Sequence, residues 1–107
     1  MIRQFVMTPV FDKQWNGMGL DDEDLRHFQN VLLKDPFVGD IIKRTGGARK
    51  VRVALKKGTG KSGGARVIYY DKTHMGKLFL LLCYPKGKQD NLTVEQKKLV
   101  REIIETL

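Results

Sequence analysis

The most constraining feature of the sequence is a pair of strand-like segments joined by a short link. Residues 65–71, ARVIYYD, are rich in β-branched and aromatic side chains, and residues 77–84, KLFLLLCY, form an almost continuous apolar run. The link contains Gly76, which suits a hairpin turn. Because adjacent strands with a short connection run in opposite directions, the two segments predict a pair of antiparallel strands.

Further elements flank this hairpin. Residues 49–55 alternate with Val51, Val53 and Leu55 on one face, which predicts another strand, and residues 2–7 indicate a short first strand. Three helix starts are indicated by capping patterns: Thr8 before Pro9, Asp21 before an acidic turn, and Thr93 with Gln96 in a capping box. The predicted order is β-α-α-β-β-β-α, an α+β fold whose helices cover one face of a small antiparallel sheet.

Length and composition predict one small domain spanning residues 1–107. The apolar run that ends at Tyr84 is too short to span a membrane, and residues 1–7 lack the apolar segment of a signal peptide. The single cysteine, Cys83, lies within that run and is expected to be a buried hydrophobe. Without a possible intramolecular disulfide, the expected location is a reducing cytoplasm.

The positive charge is concentrated in the middle of the chain. The net charge is +8, and residues 36–70 carry nine basic side chains against one acidic side chain, Asp40. Such clustering is typical of a protein that binds nucleic acid, although an acidic protein partner could use the same surface.

The glycine-rich stretch KKGTGKSGG at residues 56–64 ends in a fragment that is similar to a phosphate-binding loop. That motif requires a glycine at position 55, which is Leu55 here, and a helix after the loop. Because residues 65–70 have strand character instead, a nucleotide pocket is excluded. The stretch is either a basic hairpin loop that meets a polyanion or a loop that is merely exposed.

If the helices cover one face of the sheet, the other face can hold the basic residues. Alternation places Lys50 and Arg52 on one face of their strand, and Arg66 on the same face as Tyr70. Tyr84 and Lys86 share parity at the end of the last strand. The pattern predicts a basic surface with a tyrosine at its rim, where phosphates meet cations and a base stacks on the ring.

The sequence offers no conventional catalytic set, since two isolated histidines and one cysteine make no triad and no cluster has metal-ligand spacing. An enzyme built from cations and tyrosine could cleave RNA, whose 2′-hydroxyl supplies the nucleophile. Arginine would stabilise the charge of the transition state, because its planar guanidinium binds two phosphate oxygens. A lysine crowded by like charges could exchange a proton.

Five ordered motifs resemble the HigB-like branch of the RelE/ParE toxin superfamily. They run through nearly the whole chain: GDII at 39–42, TGGxRKxR at 45–52, KxGGARVIYY at 61–70, YxK at 84–86 and LTxxQ at 92–96. The resemblance implies a bacterial type II toxin that is a small α+β domain, monomeric when free, and that cleaves mRNA in the ribosomal A site without metal or cofactor. It also implies a cognate antitoxin, often a helix-turn-helix protein, as partner.

The resemblance and the alternation together define the expected site. The expected catalytic residues are Arg66, Lys61, Tyr84 and Lys86. The expected RNA-binding residues are Arg49, Lys50, Arg52, Lys56, Lys57 and Tyr70. Two alternatives remain open at this point: a non-catalytic module that binds RNA or the ribosome, and a ParE-like toxin directed at DNA gyrase.

Overall fold

The structure is a computed structural model that describes residues 4–53 and 64–107. Its elements are β1 (Gln4–Met7), α1 (Pro9–Gly17), α2 (Asp22–Lys34), β2 (Asp40–Ile41), β3 (Arg49–Val53), β4 (Ala65–Lys72), a 3₁₀ turn (Thr73–Met75), β5 (Lys77–Pro85) and α3 (Val94–Glu105). The α+β class is confirmed, and β2 is a short strand that the sequence patterns did not predict. No helix in the described ranges is both long enough and apolar enough to cross a membrane.

The described strands form one sheet in the order β1-β5-β4-β3-β2. The predicted hairpin is present: β4 and β5 pair antiparallel, and Gly76 in the turn has a φ of 68°. The prediction of a purely antiparallel sheet was wrong, because β1 pairs in parallel with β5. After β1 the chain crosses to the far edge through α1 and α2 and returns strand by strand, so β5 arrives beside β1 in the same direction.

Helices pack on both faces of the sheet, which corrects the expectation of a single covered face. One core cluster joins α1 and α2 to side chains such as Val67 and Leu80, and the other joins α3 to side chains such as Ile68 and Leu81. The physical reason lies in β5, whose residues from Leu78 to Tyr84 are all buried. A strand buried on both faces is apolar at consecutive positions, whereas a strand with one open face alternates.

The three predicted helix starts are confirmed by their capping contacts. Thr8 accepts a hydrogen bond from the Phe11 backbone N–H at 3.0 Å, with Pro9 as the first helical residue. Capping boxes begin α2 at Asp21 and α3 at Thr93. Because its cap lies soon after β5 in the chain, α3 begins close to the end of that strand.

Two side chains cover the part of the β5 edge that β1 does not reach. The register of β1 ends with Met7 opposite Leu80. The Thr8 hydroxyl then donates to the Leu81 carbonyl at 2.7 Å, and the Cys83 N–H donates to the Gln14 side-chain oxygen at 3.0 Å. Side-chain partners of this kind satisfy backbone groups that would otherwise attract another strand.

Candidate active site

Three predicted site residues lie side by side across the middle of the sheet. The register places Arg66 of β4 between Arg52 of β3 and Tyr84 of β5. Directly paired residues of an antiparallel sheet point to the same face, and adjacent strands lie about 4.8 Å apart. The row Arg52–Arg66–Tyr84 therefore places two guanidinium groups and one phenol on the face that also carries α3.

Arg66 has an unmet hydrogen-bonding group at the centre of this row. Its Nη1 atom is buried, and no hydrogen-bond acceptor contacts it within the part of the chain that the structure describes. A buried donor of a charged group that lacks an acceptor is costly, by about 1–3 kcal/mol or more. Such a group is suited to a negatively charged ligand, whose oxygens supply the missing acceptor.

Tyr84 is buried in the row, not exposed at its rim. The residue is 5% exposed, and its hydroxyl donates to the Asp90 carbonyl at 3.2 Å. Burial raises the pKa of Tyr84 above its ordinary 10.0, and the positive charge of Arg66 partly offsets that rise. The expected role as an exposed stacking platform needs correction, because the following turn and α3 cover the ring.

Lys50 lies two residues before Arg52 in β3, on the same face, and its ammonium contacts the turn after β5. Its ammonium donates to Asn91 Oδ1 at 2.9 Å and lies 3.4 Å from the Asp90 carbonyl. The Asp90 carbonyl thus accepts from both Lys50 and Tyr84. These contacts tie the turn at residues 86–91 to the sheet beside Arg66.

Lys86 immediately follows β5, two residues after Tyr84. Its backbone N–H donates to the Gly64 carbonyl at 3.1 Å, which continues the β4–β5 pairing by one step. The residue is half-buried. Lys86 therefore lies next to the row and belongs with Arg66, Arg52 and Tyr84 in the candidate site.

Two predicted RNA-binding residues lie elsewhere. Arg49 is on the opposite face of β3 from Lys50, where its guanidinium donates to the Gly39 carbonyl at 2.7 Å and lies over the Phe37 ring at 5.1 Å. Tyr70 shares the face of Arg66 but is four residues along β4, about 13 Å away. Its ring stacks with Phe79 at a centroid distance of 6.4 Å. Arg49 braces a loop and Tyr70 contributes to the core beneath α3.

The expected lysines of the glycine-rich stretch, Lys56, Lys57 and Lys61, lie outside the described residues. Their proposed contacts with RNA remain predictions. The stretch joins β3 to β4 just beyond Val53 and Ala65, which are partners in the sheet.

A comparison with known protein families matches most of the chain. The family model described as the RelE toxin of the RelE/RelB toxin-antitoxin system matches residues 6–107. The chain belongs to the RelE toxin family. Its role is thus that of the toxin in a toxin-antitoxin system, and a cognate antitoxin is its partner. The match confirms the predicted superfamily, while the HigB-like branch stays a prediction.

Two residues of this RelE-family toxin were missed by sequence reasoning. Asp90 and Asn91 accept the hydrogen bonds from Tyr84 and Lys50 that hold the turn in place. Aspartate and asparagine are common in turns for local reasons, so their type did not single them out. The contact from Asn91 reaches back to β3, 41 residues away, and only the folded sheet brings the two together.

Proposed function

We propose that this RelE-family toxin is an endoribonuclease that cleaves messenger RNA in the ribosomal A site. The observation that supports this most strongly is the buried Nη1 of Arg66, which has no hydrogen-bond acceptor among the described residues and lies in a row with Arg52 and Tyr84. A phosphodiester placed on this row would give Arg66 an acceptor, and Arg52 would offer a second cation. Family membership supports the choice of a toxin reaction over simple binding.

In the proposed reaction the 2′-hydroxyl of the RNA attacks the adjacent phosphorus. A bond forms between the 2′-oxygen and phosphorus, and the bond from phosphorus to the 5′-oxygen breaks. One proton leaves the 2′-hydroxyl, and one is delivered to the departing 5′-oxygen. Arg66 would stabilise the extra negative charge of the transition state, because its guanidinium can bind two oxygens at once.

The other residues receive supporting roles. The raised pKa of Tyr84 keeps its hydroxyl protonated near neutral pH, so we assign Tyr84 to positioning the turn rather than to proton abstraction. Lys50 shares that positioning role through Asn91. Lys61 and Lys86 stay the proposed participants in proton transfer, and Arg52 the proposed phosphate contact. The proposal also includes a helix-turn-helix antitoxin, membership of the HigB-like branch and a cytoplasmic location.

The test is primer extension on a defined mRNA held by stalled ribosomes, with a ribosome-free lane. We expect cuts in the ribosome lane that Arg66→Ala reduces by about 10²–10³-fold, the usual loss when one preorganised donor to the transition state is removed. Arg66→Lys keeps the charge but not the planar fork and should recover only part of the activity. Arg26→Ala is the matched control, because Arg26 is an exposed arginine on α2 at the other face.

Three outcomes separate the proposal from its alternatives. Cuts that disappear with Arg66→Ala but persist with Arg26→Ala support the endoribonuclease. An intact message with folded protein still bound to ribosomes would overturn it in favour of a non-catalytic module. An intact message together with gyrase-dependent DNA breaks would overturn it in favour of a gyrase-directed toxin.

A further inference from the structure

A second group of cations surrounds a shallow cleft between α3 and the loop that joins β2 to β3. The cleft has a volume of about 200 Å³ and is lined by Arg44, Val94, Lys97, Lys98 and Arg101. The four residues from α3 occupy positions i, i+3, i+4 and i+7, so they share one face of the helix. Arg44 lines the same cleft from the loop, so four positively charged side chains surround it.

The backbone conformation of Arg44 is a second, independent observation that points to a binding site. Its φ is 67°, which places a residue other than glycine in the left-handed region. That conformation is strained for a residue with a Cβ atom, and the loop has two glycines at Gly46 and Gly47 that adopt positive φ without strain. Strain of this kind is concentrated at binding and catalytic sites. Here it accompanies an arginine that lines a cleft with three other cations.

One carboxylate pairs with a cation of this cluster, but only at an exposed position. Arg101 Nε lies 3.7 Å from Glu105 Oε2, but the two side chains are 60% and 64% exposed. Exposed pairs of this kind contribute little, so Arg101 stays available to another anion. Four cations around a cleft repel one another, and an anionic ligand would relieve that repulsion.

The cluster lies on the same side of the sheet as the candidate active site. The buried face of α3 packs with Ile68, which shares the face of Arg66 in β4. The helix begins just after Asn91, the partner of Lys50, and Arg101 lies about 10 Å further along its axis than Val94. The cations of α3 therefore extend the positive surface of this face beyond the row.

We propose that Arg44, Lys97, Lys98 and Arg101 form a second RNA-binding site that holds the phosphodiester backbone away from the point of cleavage. The identification of RNA as the ligand of this site rests on the proposed function. The site is basic and open, and its apolar lining residue, Val94, is 82% exposed. It therefore suits a phosphate backbone, which is recognised by charge without base-specific pockets.

The experiment measures binding of a fluorescein-labelled oligouridylate and of a labelled RNA hairpin as a function of salt. The test variant combines Arg44→Gln, Lys97→Gln and Arg101→Gln. The control variant combines Lys13→Gln, Arg26→Gln and Lys34→Gln, which removes the same charge from exposed positions on α1 and α2. We expect the test variant to bind at least one probe about tenfold more weakly. Its log–log salt slope should fall by roughly two, while the control changes little.

A single variant checks that the loss is not a folding defect. Arg44→Gly removes the cation and also the left-handed strain, so its melting temperature should be unchanged or higher while RNA binding weakens. Unchanged binding of both probes by the triple test variant would overturn the proposal. Equal weakening by the control variant would overturn it too, because only total charge would then matter.

Two further outcomes would reassign the cluster. If the test variant binds RNA normally but escapes neutralisation by its antitoxin, the cluster is a protein-binding surface and the proposal fails. If millimolar inorganic phosphate at constant ionic strength displaces RNA from the wild type, the ligand is a small anion. Weakened binding in a protein that does not cleave mRNA would support this inference while the proposed function fails.

Discussion

At the scale of single residues, Gly39 shows how tightly the loop before β2 is packed. A Cβ atom at this position would lie 2.8 Å from the Lys50 carbonyl oxygen and 2.9 Å from the Tyr69 ring. The Gly39 N–H donates to the Tyr69 hydroxyl at 3.0 Å, and that hydroxyl donates to the Pro36 carbonyl at 2.8 Å. The position therefore requires glycine because backbone and side chain approach it closely.

We expect Gly39→Ala to destabilise the protein by about 1–3 kcal/mol, the usual cost of forcing extra volume into a packed site. The measurement is the free energy of unfolding in urea. Gly17→Ala is the matched control, because among the described residues no atom beyond its own helix turn and chain neighbours lies within 4 Å of a Cβ added at Gly17. Equal stability of the two variants would show that the loop relaxes without cost.

Because Cys83 is buried, the free energy of unfolding depends on pH in the alkaline range. Burial raises the pKa of its thiol from 9.0 to about 12, so the folded protein retains a proton that the unfolded chain loses between those values. The contribution of Cys83 is fully present below pH 9 and is lost as the pH rises towards about 12. We expect the free energy of unfolding to fall with pH in this window, and less steeply in Cys83→Ala.

The burial of Cys83 also predicts that its thiol is alkylated slowly in the folded protein. Alkylation of folded protein by iodoacetamide at pH 8 should proceed only as fast as the protein opens, whereas urea-unfolded protein should react at once. A steep alkaline loss of stability that persists unchanged in Cys83→Ala would assign the effect to the tyrosines, since burial also raises the pKa values of Tyr69 and Tyr84.

At the scale of elements, α3 connects the candidate site to the core. Its N-terminal cap, Thr93, accepts from the Gln96 N–H at 3.1 Å, and Gln96 accepts in return from the Thr93 N–H at 2.9 Å. Gln96 also accepts from the Gln89 side chain at 2.8 Å. The capping box thus links the helix to the turn that carries Asp90.

We expect Thr93→Ala to cost about 1 kcal/mol, because it removes the acceptor for a backbone N–H of the first turn. Thermal unfolding followed by circular dichroism measures this as a drop in melting temperature of several degrees, about 4–8 °C for a small domain. Thr106→Ala is the control at the other end of α3, where the hydroxyl donates to the Ile103 carbonyl and caps no backbone N–H among the described residues. A larger loss at Thr106 than at Thr93 would contradict this account of the cap.

At the scale of the whole molecule, two cores share one sheet. Trp15 belongs to the cluster beneath α1 and α2, and Val100 to the cluster beneath α3. The two clusters meet through β4 and β5, whose buried apolar side chains are divided between them, with an interruption of the alternation at Leu81 and Leu82, which both belong to the cluster beneath α3. The sheet cannot keep one core intact while the other is lost, because both depend on the same backbone pairing.

We therefore expect Val100→Ala, which costs about 2 kcal/mol through its cavity, to shift the unfolding of the opposite core as well. The measurement compares urea unfolding by Trp15 fluorescence with unfolding by far-ultraviolet circular dichroism. Both transitions should move together by the same free energy, as in two-state unfolding. Separate midpoints for the two signals would show that the cores unfold independently.

Much of the fold was predictable from local patterns. Helix starts at Thr8, Asp21 and Thr93 depend on contacts within a few residues, and the hairpin around Gly76 depends on a short connection. Alternation correctly placed Arg52 with Lys50, and register then brought Arg52, Arg66 and Tyr84 into one row. The composition also indicated that positive charge would dominate the middle of the chain.

The sequence by itself determined the three helix starts, the β4–β5 hairpin and the face shared by Lys50 and Arg52, because these follow from local dihedral preferences and side-chain periodicity. Only the tertiary structure decided the parallel pairing of β1 with β5, the burial of Tyr84 and the contact of Arg49 with the Gly39 carbonyl. These features depend on partners far away in the chain. Local preferences do not encode such contacts, since their free energy appears only when the whole sheet has formed.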